Sequence, residues 1–143
     1  MPKQPLKLGN LCKHPFTFVV LSHQVILRWF YRENDVAGFD VNMGCPKEFS
    51  IKGGMGAALL KQPEKIKEIL CLLVKNLSIP VTCKIRLLST VEETVKLCKM
   101  IESCGVAAIG VHGRTKDDRP RHPNNNKAIQ IISNNISIPI IAK

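Results

Sequence analysis

Two nine-residue stretches of this chain are versions of one another. Asn76-Leu77-Ser78-Ile79-Pro80-Val81-Thr82-Cys83-Lys84 matches Asn135-Ile136-Ser137-Ile138-Pro139-Ile140-Ile141-Ala142-Lys143, at an offset of 59 residues. Each copy reads as a helix end, a short loop closed by proline and the start of an apolar strand. The offset holds about two strand–helix units of ~30 residues each. Repeated βα units with near-continuous apolar strands predict a parallel sheet covered by helices. Right-handed crossovers then leave two architectures: an open doubly wound sheet or a (β/α)8 barrel.

The other elements follow the same rhythm. Strands are predicted over 36–41, 81–85 and 106–111, and another opens at Pro139. A helix is predicted over 63–76. Pro63 and Glu64 sit at its start, and Ile66, Ile69, Leu70, Leu73 and Leu77 recur at helical spacing. Ser89 or Thr90 caps a second helix, with Glu92 and Glu93 in its first turn, and Gly105 follows its end. Ala128, Ile129, Ile131 and Ile132 mark a third. Residues 16–21 could add a fifth strand, 22–32 could form a helix capped by Ser22, and the first 13 residues are expected to lack order. A complete barrel takes about 250 residues. At 143 residues, the α/β expectation is therefore a partial (β/α)8 TIM barrel of four to five βα units, with a divergent segment over 1–32 and the barrel piece over 33–143.

Composition narrows the class. A hydrophobic content of 45% supports a core and argues against disorder. No apolar run is long enough for a membrane span, and the basic N-terminus lacks the apolar stretch of a signal peptide. The six cysteines include no C-x-x-C pair, which argues against a zinc site or a thioredoxin motif and favours reduced thiols in the cytoplasm. Neither a membrane partner nor a metal is expected. A net charge of +10, from 21 basic and 11 acidic residues, fits either a polyanionic partner or an ordinary solvated basic surface.

In a parallel barrel the chemistry lies at the C-terminal strand ends. The first strand leads into Asn42-Met43-Gly44-Cys45-Pro46, and Lys52-Gly53-Gly54-Met55-Gly56 follows. The pattern offers a positioned thiol beside an open, flexible glycine-rich loop. Cys45 could instead be a small buried hydrophobe. The next strand supplies Lys84 and Arg86, the third His112 and Arg114, and the fourth Lys143. A lysine in so apolar a strand needs a partner. Either Asp40 on the neighbouring strand pairs with it, or it faces an electron-rich cofactor or a substrate anion. His112 gains weight as a site residue from its alignment with Cys45 and Lys84. The basic stretch Arg114, Lys116, Arg119, Arg121 and His122 is either solvated charge or an RNA phosphate contact.

Four motifs in order carry a resemblance: Asp40-Val41-Asn42-Met43-Gly44-Cys45-Pro46, Gly53-Gly54-Met55-Gly56-Ala57-Ala58-Leu59-Leu60, Cys83-Lys84-Ile85-Arg86 and Val111-His112-Gly113-Arg114. Together they resemble the tRNA-dihydrouridine synthases. The Glu33-Asn34-Asp35-Val36-Ala37-Gly38 lead-in and Arg119-Pro120-Arg121-His122-Pro123 are most similar to the eukaryotic type-two branch. The resemblance runs from about Glu33 to Ala142. It implies a (β/α)8 flavoprotein that reduces uridine to dihydrouridine in tRNA, with FMN as cofactor and NADPH as reductant. By the same resemblance Cys45 is the proton donor, Lys84 and His112 contact the flavin, and Asn42 shapes the pocket. Arg86 and Arg114 are the candidates for substrate contact. The family's first strand, its phosphate-binding end and its helical tRNA-binding domain have no counterpart in the sequence. A fragment of the catalytic barrel is therefore expected. The alternative is a catalytically inactive basic α/β piece with weak RNA binding.

Overall fold

The structure, a computed structural model, describes residues 17–19 and 37–143. Five strands form one sheet in the order β1-β2-β3-β4-β5, and every neighbouring pair is parallel. They are β1 (Thr17–Val19), β2 (Phe39–Asn42), β3 (Val81–Leu87), β4 (Ala108–Thr115) and β5 (Ile140–Ala142). A doubly wound sheet reverses its strand order at a switch point. Here the order never reverses, so the sheet is a segment of a (β/α)8 barrel.

Three longer helices cover the outer face: α2 (Pro63–Asn76), α3 (Val91–Ser103) and α4 (Asn126–Asn135). Pro63 opens α2, where its missing N–H costs nothing, and Ile66, Leu70 and Leu73 form its buried stripe. Of the two cap candidates Thr90 is the one used. Its hydroxyl accepts from Glu93 N at 3.1 Å while the Glu93 carboxylate accepts from Thr90 N at 3.2 Å, a complete capping box. Gly105 follows the α3 C-cap with φ +85°, a conformation that favours glycine. In α4, Ala128, Ile129 and Ile132 are buried, whereas Ile131 is 40% exposed. The expected fifth strand is present as β1. The expected helix over 22–32 and the expected unordered first 13 residues lie outside the described residues, as does Val36 of the strand predicted over 36–41.

The strands differ from the expectation of apolar runs. Along β3, Cys83, Ile85 and Leu87 are buried against the helices, while Lys84 and Arg86 alternate with them on the other face. The same alternation places Phe39 and Val41 opposite Asp40 and Asn42 in β2, and Ile109 and Val111 opposite Gly110 and His112 in β4. The sheet therefore has an apolar outer face under helices and a polar inner face that carries the candidate chemistry. Two strands also run further than predicted. β3 reaches Leu87, and β4 reaches Thr115, so His112 and Arg114 are strand residues.

The segment after Cys45 corrects the expectation of an open, flexible glycine loop. It folds into a short helix α1 (Glu48–Lys52) and a 3-10 helix (Gly56–Lys61) whose Ala57, Leu59 and Leu60 are buried. Ala57 N donates to Cys45 O at 2.9 Å, closing the excursion on itself as a compact Ω-like loop.

Candidate active site

Register fixes which strand-end side chains meet. Asn42 pairs with Lys84 across β2 and β3, and Lys84 pairs with Gly110 across β3 and β4. One pleat further along, Arg86 pairs with His112. Lys143 follows β5 with its N–H on Val111 O at 3.0 Å. Asn42, Lys84, Arg86, His112 and Arg114 thus share the inner face near the C-terminal ends of β2, β3 and β4, and Cys45 lies three residues beyond Asn42.

The Cys45 segment is held by backbone partners on both sides. Asn42 Oδ1 accepts from Gly44 N at 3.0 Å, and Arg86 Nε donates to Gly44 O at 2.7 Å. Gly56 has φ +54°, and a Cβ there would lie 2.5 Å from Ser50 Oγ and 2.6 Å from Cys45 O. Only glycine lets that turn approach the cysteine backbone so closely. The thiol is half-buried. Cys83 and Cys98 are small core hydrophobes by contrast: burial pushes the Cys83 thiol well up and the Cys98 thiol up to about 12.

Lys84 is not paired with Asp40. The Asp40 carboxylate accepts instead from Thr82 Oγ1 at 2.7 Å. The ion pairs among the described residues join Lys52 to Glu48 and Lys116 to Asp117, and His122 Nδ1 lies 3.2 Å from an Asp118 oxygen. Burial first, then the charges of the neighbouring Lys143 and Arg86, push the Lys84 ammonium below its ordinary value. Asp40 pulls the other way and does not reverse the shift. Lys84 is a cation in a field of cations, with no ion pair to an anion among the described residues.

His112 carries the same signature. Burial first, then Arg86, Lys84, Arg114 and Lys143, lower it from its ordinary value. Arg114 Nη1 lies 3.3 Å from His112 Nε2. A guanidinium can only donate, so Nε2 accepts and the proton of the neutral ring sits on Nδ1. Arg114 also donates through Nε to His122 O at 2.7 Å and through Nη2 to Pro120 O at 3.0 Å. These bonds fold the basic loop after β4 back on the strand. Asp118 closes the loop, accepting from Thr115 N at 2.7 Å and Thr115 Oγ1 at 2.9 Å, and these two bonds hold its carboxyl below the usual range.

Sequence reasoning missed Asn124 and Ser50. Asn124 Nδ2 donates to Asn126 Oδ1 at 2.8 Å, while its buried Oδ1 lies where a Cβ on Gly113 would be, 2.6 Å away. A side chain after His112 would have to displace the Asn124 amide, which gives this glycine a contact that pattern alone left as backbone freedom. Ser50 has no signal in the sequence; its role as the wall behind Gly56 is visible only once α1 is placed.

The arrangement offers a half-buried thiol just past β2, a half-buried cation on β3 and a neutral imidazole on β4. A family model for dihydrouridine synthase matches residues 30–143. The chain belongs to the dihydrouridine synthase family. It is 50% identical over 94 residues to tRNA-dihydrouridine(20) synthase [NAD(P)+] of Schizosaccharomyces pombe, covering 63% of this chain and 20% of that protein. It is 38% identical over 108 residues to the human tRNA-dihydrouridine(20a/20b) synthase [NAD(P)+]-like protein, covering 73% of this chain and 34% of that one. It is 39% identical over 105 residues to tRNA-dihydrouridine synthase B of Proteus vulgaris, covering 72% and 32%. The dihydrouridine synthase segment thus spans about a fifth to a third of these relatives. Among its described residues no cluster suits a metal ion and no helix is long and apolar enough to cross a membrane.

Proposed function

We propose that this barrel segment carries the strand-end chemistry of a tRNA-dihydrouridine synthase, which reduces uridine to dihydrouridine with FMN as resident cofactor and NADPH as reductant. The observation that carries the reading is that Lys84 and His112 share the inner face of β3 and β4 beside the Asn42–Cys45 segment that leaves β2. The names of the relatives, tRNA-dihydrouridine synthases marked [NAD(P)+], support the substrate class and the reductant. A cytoplasmic site of action belongs to the same proposal.

The donor set fits an anionic, electron-rich group. Lys84 points a crowded ammonium into the inner face with no paired anion among the described residues, and Arg114 at His112 Nε2 places the ring proton on Nδ1. Lys84 and His112 would hold FMN, and Asn42 shapes the same pocket through its bond to Gly44 N. When bound, FMN would supply the hydride for one carbon of the uracil double bond. Cys45 donates the proton to the other carbon through its sulfur, so that the double bond gains one hydride and one proton. Lys84 stabilises negative charge on the inner face. The basic loop ordered by Arg114 faces the RNA backbone.

Flavin titration tests the reading. Quenched FMN fluorescence that is lost in Lys84→Ala supports a competent cofactor site. Absence of binding at high-micromolar FMN would assign the isolated chain to the second reading, an inactive basic α/β segment. In a complete barrel carrying these residues, Cys45→Ala abolishes dihydrouridine formation if Cys45 is the proton donor, and unchanged turnover refutes that role.

A further inference from the structure

Arg86 reaches to both sides of β3 across the inner face. It leaves β3 beside His112 and spans from the loop after β2 to the end of β4: Nε donates to Gly44 O at 2.7 Å, and Nη1 donates to Thr115 O at 2.9 Å. A bulge makes this span possible. Arg86 pairs with His112 but Leu87 pairs with Thr115, so β4 gains residues at this point and its Thr115 carbonyl turns toward the guanidinium.

The bond to Gly44 O falls on the peptide that joins Gly44 to Cys45. The two peptides that flank it are also held. Gly44 N bonds Asn42 Oδ1, and Cys45 O bonds Ala57 N. The backbone on both sides of the Cys45 Cα is therefore pinned, and the direction of the Cα–Cβ bond is set. Met43 N also donates to Lys84 O at 2.8 Å, but Arg86 holds the peptide next to the thiol and ties it to the end of β4, the strand that carries His112. Two of its donor groups are spent on carbonyls before any ligand arrives.

We propose that Arg86 is a positioning residue for Cys45: its guanidinium clamps the Gly44–Cys45 peptide to the end of β4 and so aims the thiol, in place of a role in substrate contact. The functional side of this inference rests on the reading of Cys45 as proton donor. A planar fork explains the choice of residue, since a lysine ammonium cannot hold two carbonyls on opposite sides with Nε and Nη1.

The test separates the clamp from RNA binding by leaving out both RNA and flavin. Alkylation of Cys45 by iodoacetamide, read on the Cys45 peptide by mass spectrometry, rises several-fold in Arg86→Lys, and the Gly44 amide exchanges its hydrogen faster. The charge is conserved, so the change reports geometry. Unchanged alkylation and exchange overturn the clamp. In the unmodified protein the Arg86 Nε–H must be protected from solvent exchange, and exchange at the rate of free arginine overturns the proposal without any variant. In a complete barrel, Arg86→Lys lowers kcat with KM for tRNA retained; a raised KM with unchanged kcat returns Arg86 to substrate contact. Loss of the Cys45 role itself would show as unchanged turnover in Cys45→Ala, with the exchange results standing.

Discussion

Gly56 and Gly54 both have positive φ, +54° and +67°, but they differ in what surrounds them. A Cβ on Gly54 meets nothing within 4 Å. One on Gly56 would lie 2.5 Å from Ser50 Oγ, 2.6 Å from Cys45 O and 3.0 Å from Cys45 Cβ. Alanine at either position carries the left-handed penalty of about 1–2 kcal/mol. At Gly56 the methyl must also displace the cysteine backbone, and overpacking of that kind adds about 1–3 kcal/mol. Gly54→Ala should therefore lose about 1–2 kcal/mol and Gly56→Ala about 2–5 kcal/mol. Urea denaturation measures both, with a lower midpoint at unchanged slope as the expected form. The displaced group is the carbonyl that receives Ala57 N, so the thiol moves with it. An ångström of misplacement can cost about 100-fold in rate, and a complete barrel carrying Gly56→Ala should show a loss of that order, unlike one carrying Gly54→Ala. Equal destabilisation by the two substitutions would refute the contact between the 3-10 helix and the Cys45 backbone.

Thr90→Ala removes the hydroxyl of the capping box and should cost about 1 kcal/mol, read by thermal denaturation, with Ser89→Ala as the near-neutral control. His112 gives a pH dependence with a defined sign. Its folded-state value lies below the ordinary 6.5, so the unfolded chain takes the proton first as pH falls, and the stability present above 6.5 is lost as pH drops through the folded value. His112→Gln should flatten that part of the stability curve between neutral and mildly acidic pH. Lys84→Met should raise the urea midpoint of the ligand-free chain while abolishing FMN quenching, since it removes a crowded cation; a lowered midpoint would mean that Lys84 has a protein anion after all.

The barrel was legible because its signals are local and repeated. Pro63, Thr90 and Gly105 mark helix boundaries through backbone chemistry that any context leaves intact, and the echo at Asn76 and Asn135 sets the period. Strand length was less legible. The polar residues Lys84, Arg86, His112 and Arg114 look like strand ends when apolar runs are the guide, yet they continue β3 and β4 on the inner face. Lys84 and Asp40 could be placed on neighbouring strands from sequence, but not their partners. Thr82 stands opposite Asp40 in register and takes its carboxylate, and that depends on a shift of two residues no pattern reveals. The glycines of Lys52-Gly53-Gly54-Met55-Gly56 read as freedom because glycine permits many conformations. Tertiary contact with Ser50 and Cys45 turns one of them into a constraint.

The inner face is electrostatically incomplete. Lys84, Arg86, His112, Arg114 and Lys143 converge there, and the basic groups that lower Lys84 and His112 are drawn from this same set. The carboxylates in reach are used elsewhere: Asp40 by Thr82, and Asp118 by Thr115. Cations so arranged repel one another in the ligand-free state, and an anion bound among them would be stabilised by several at once. Linkage then requires that such an anion raise the proton affinity of Lys84 and His112 and stabilise the folded chain in proportion to its occupancy. The crowding that makes Lys84 a poor structural residue makes it a good partner for negative charge, and Arg86, from the same strand, holds the backbone that carries Cys45.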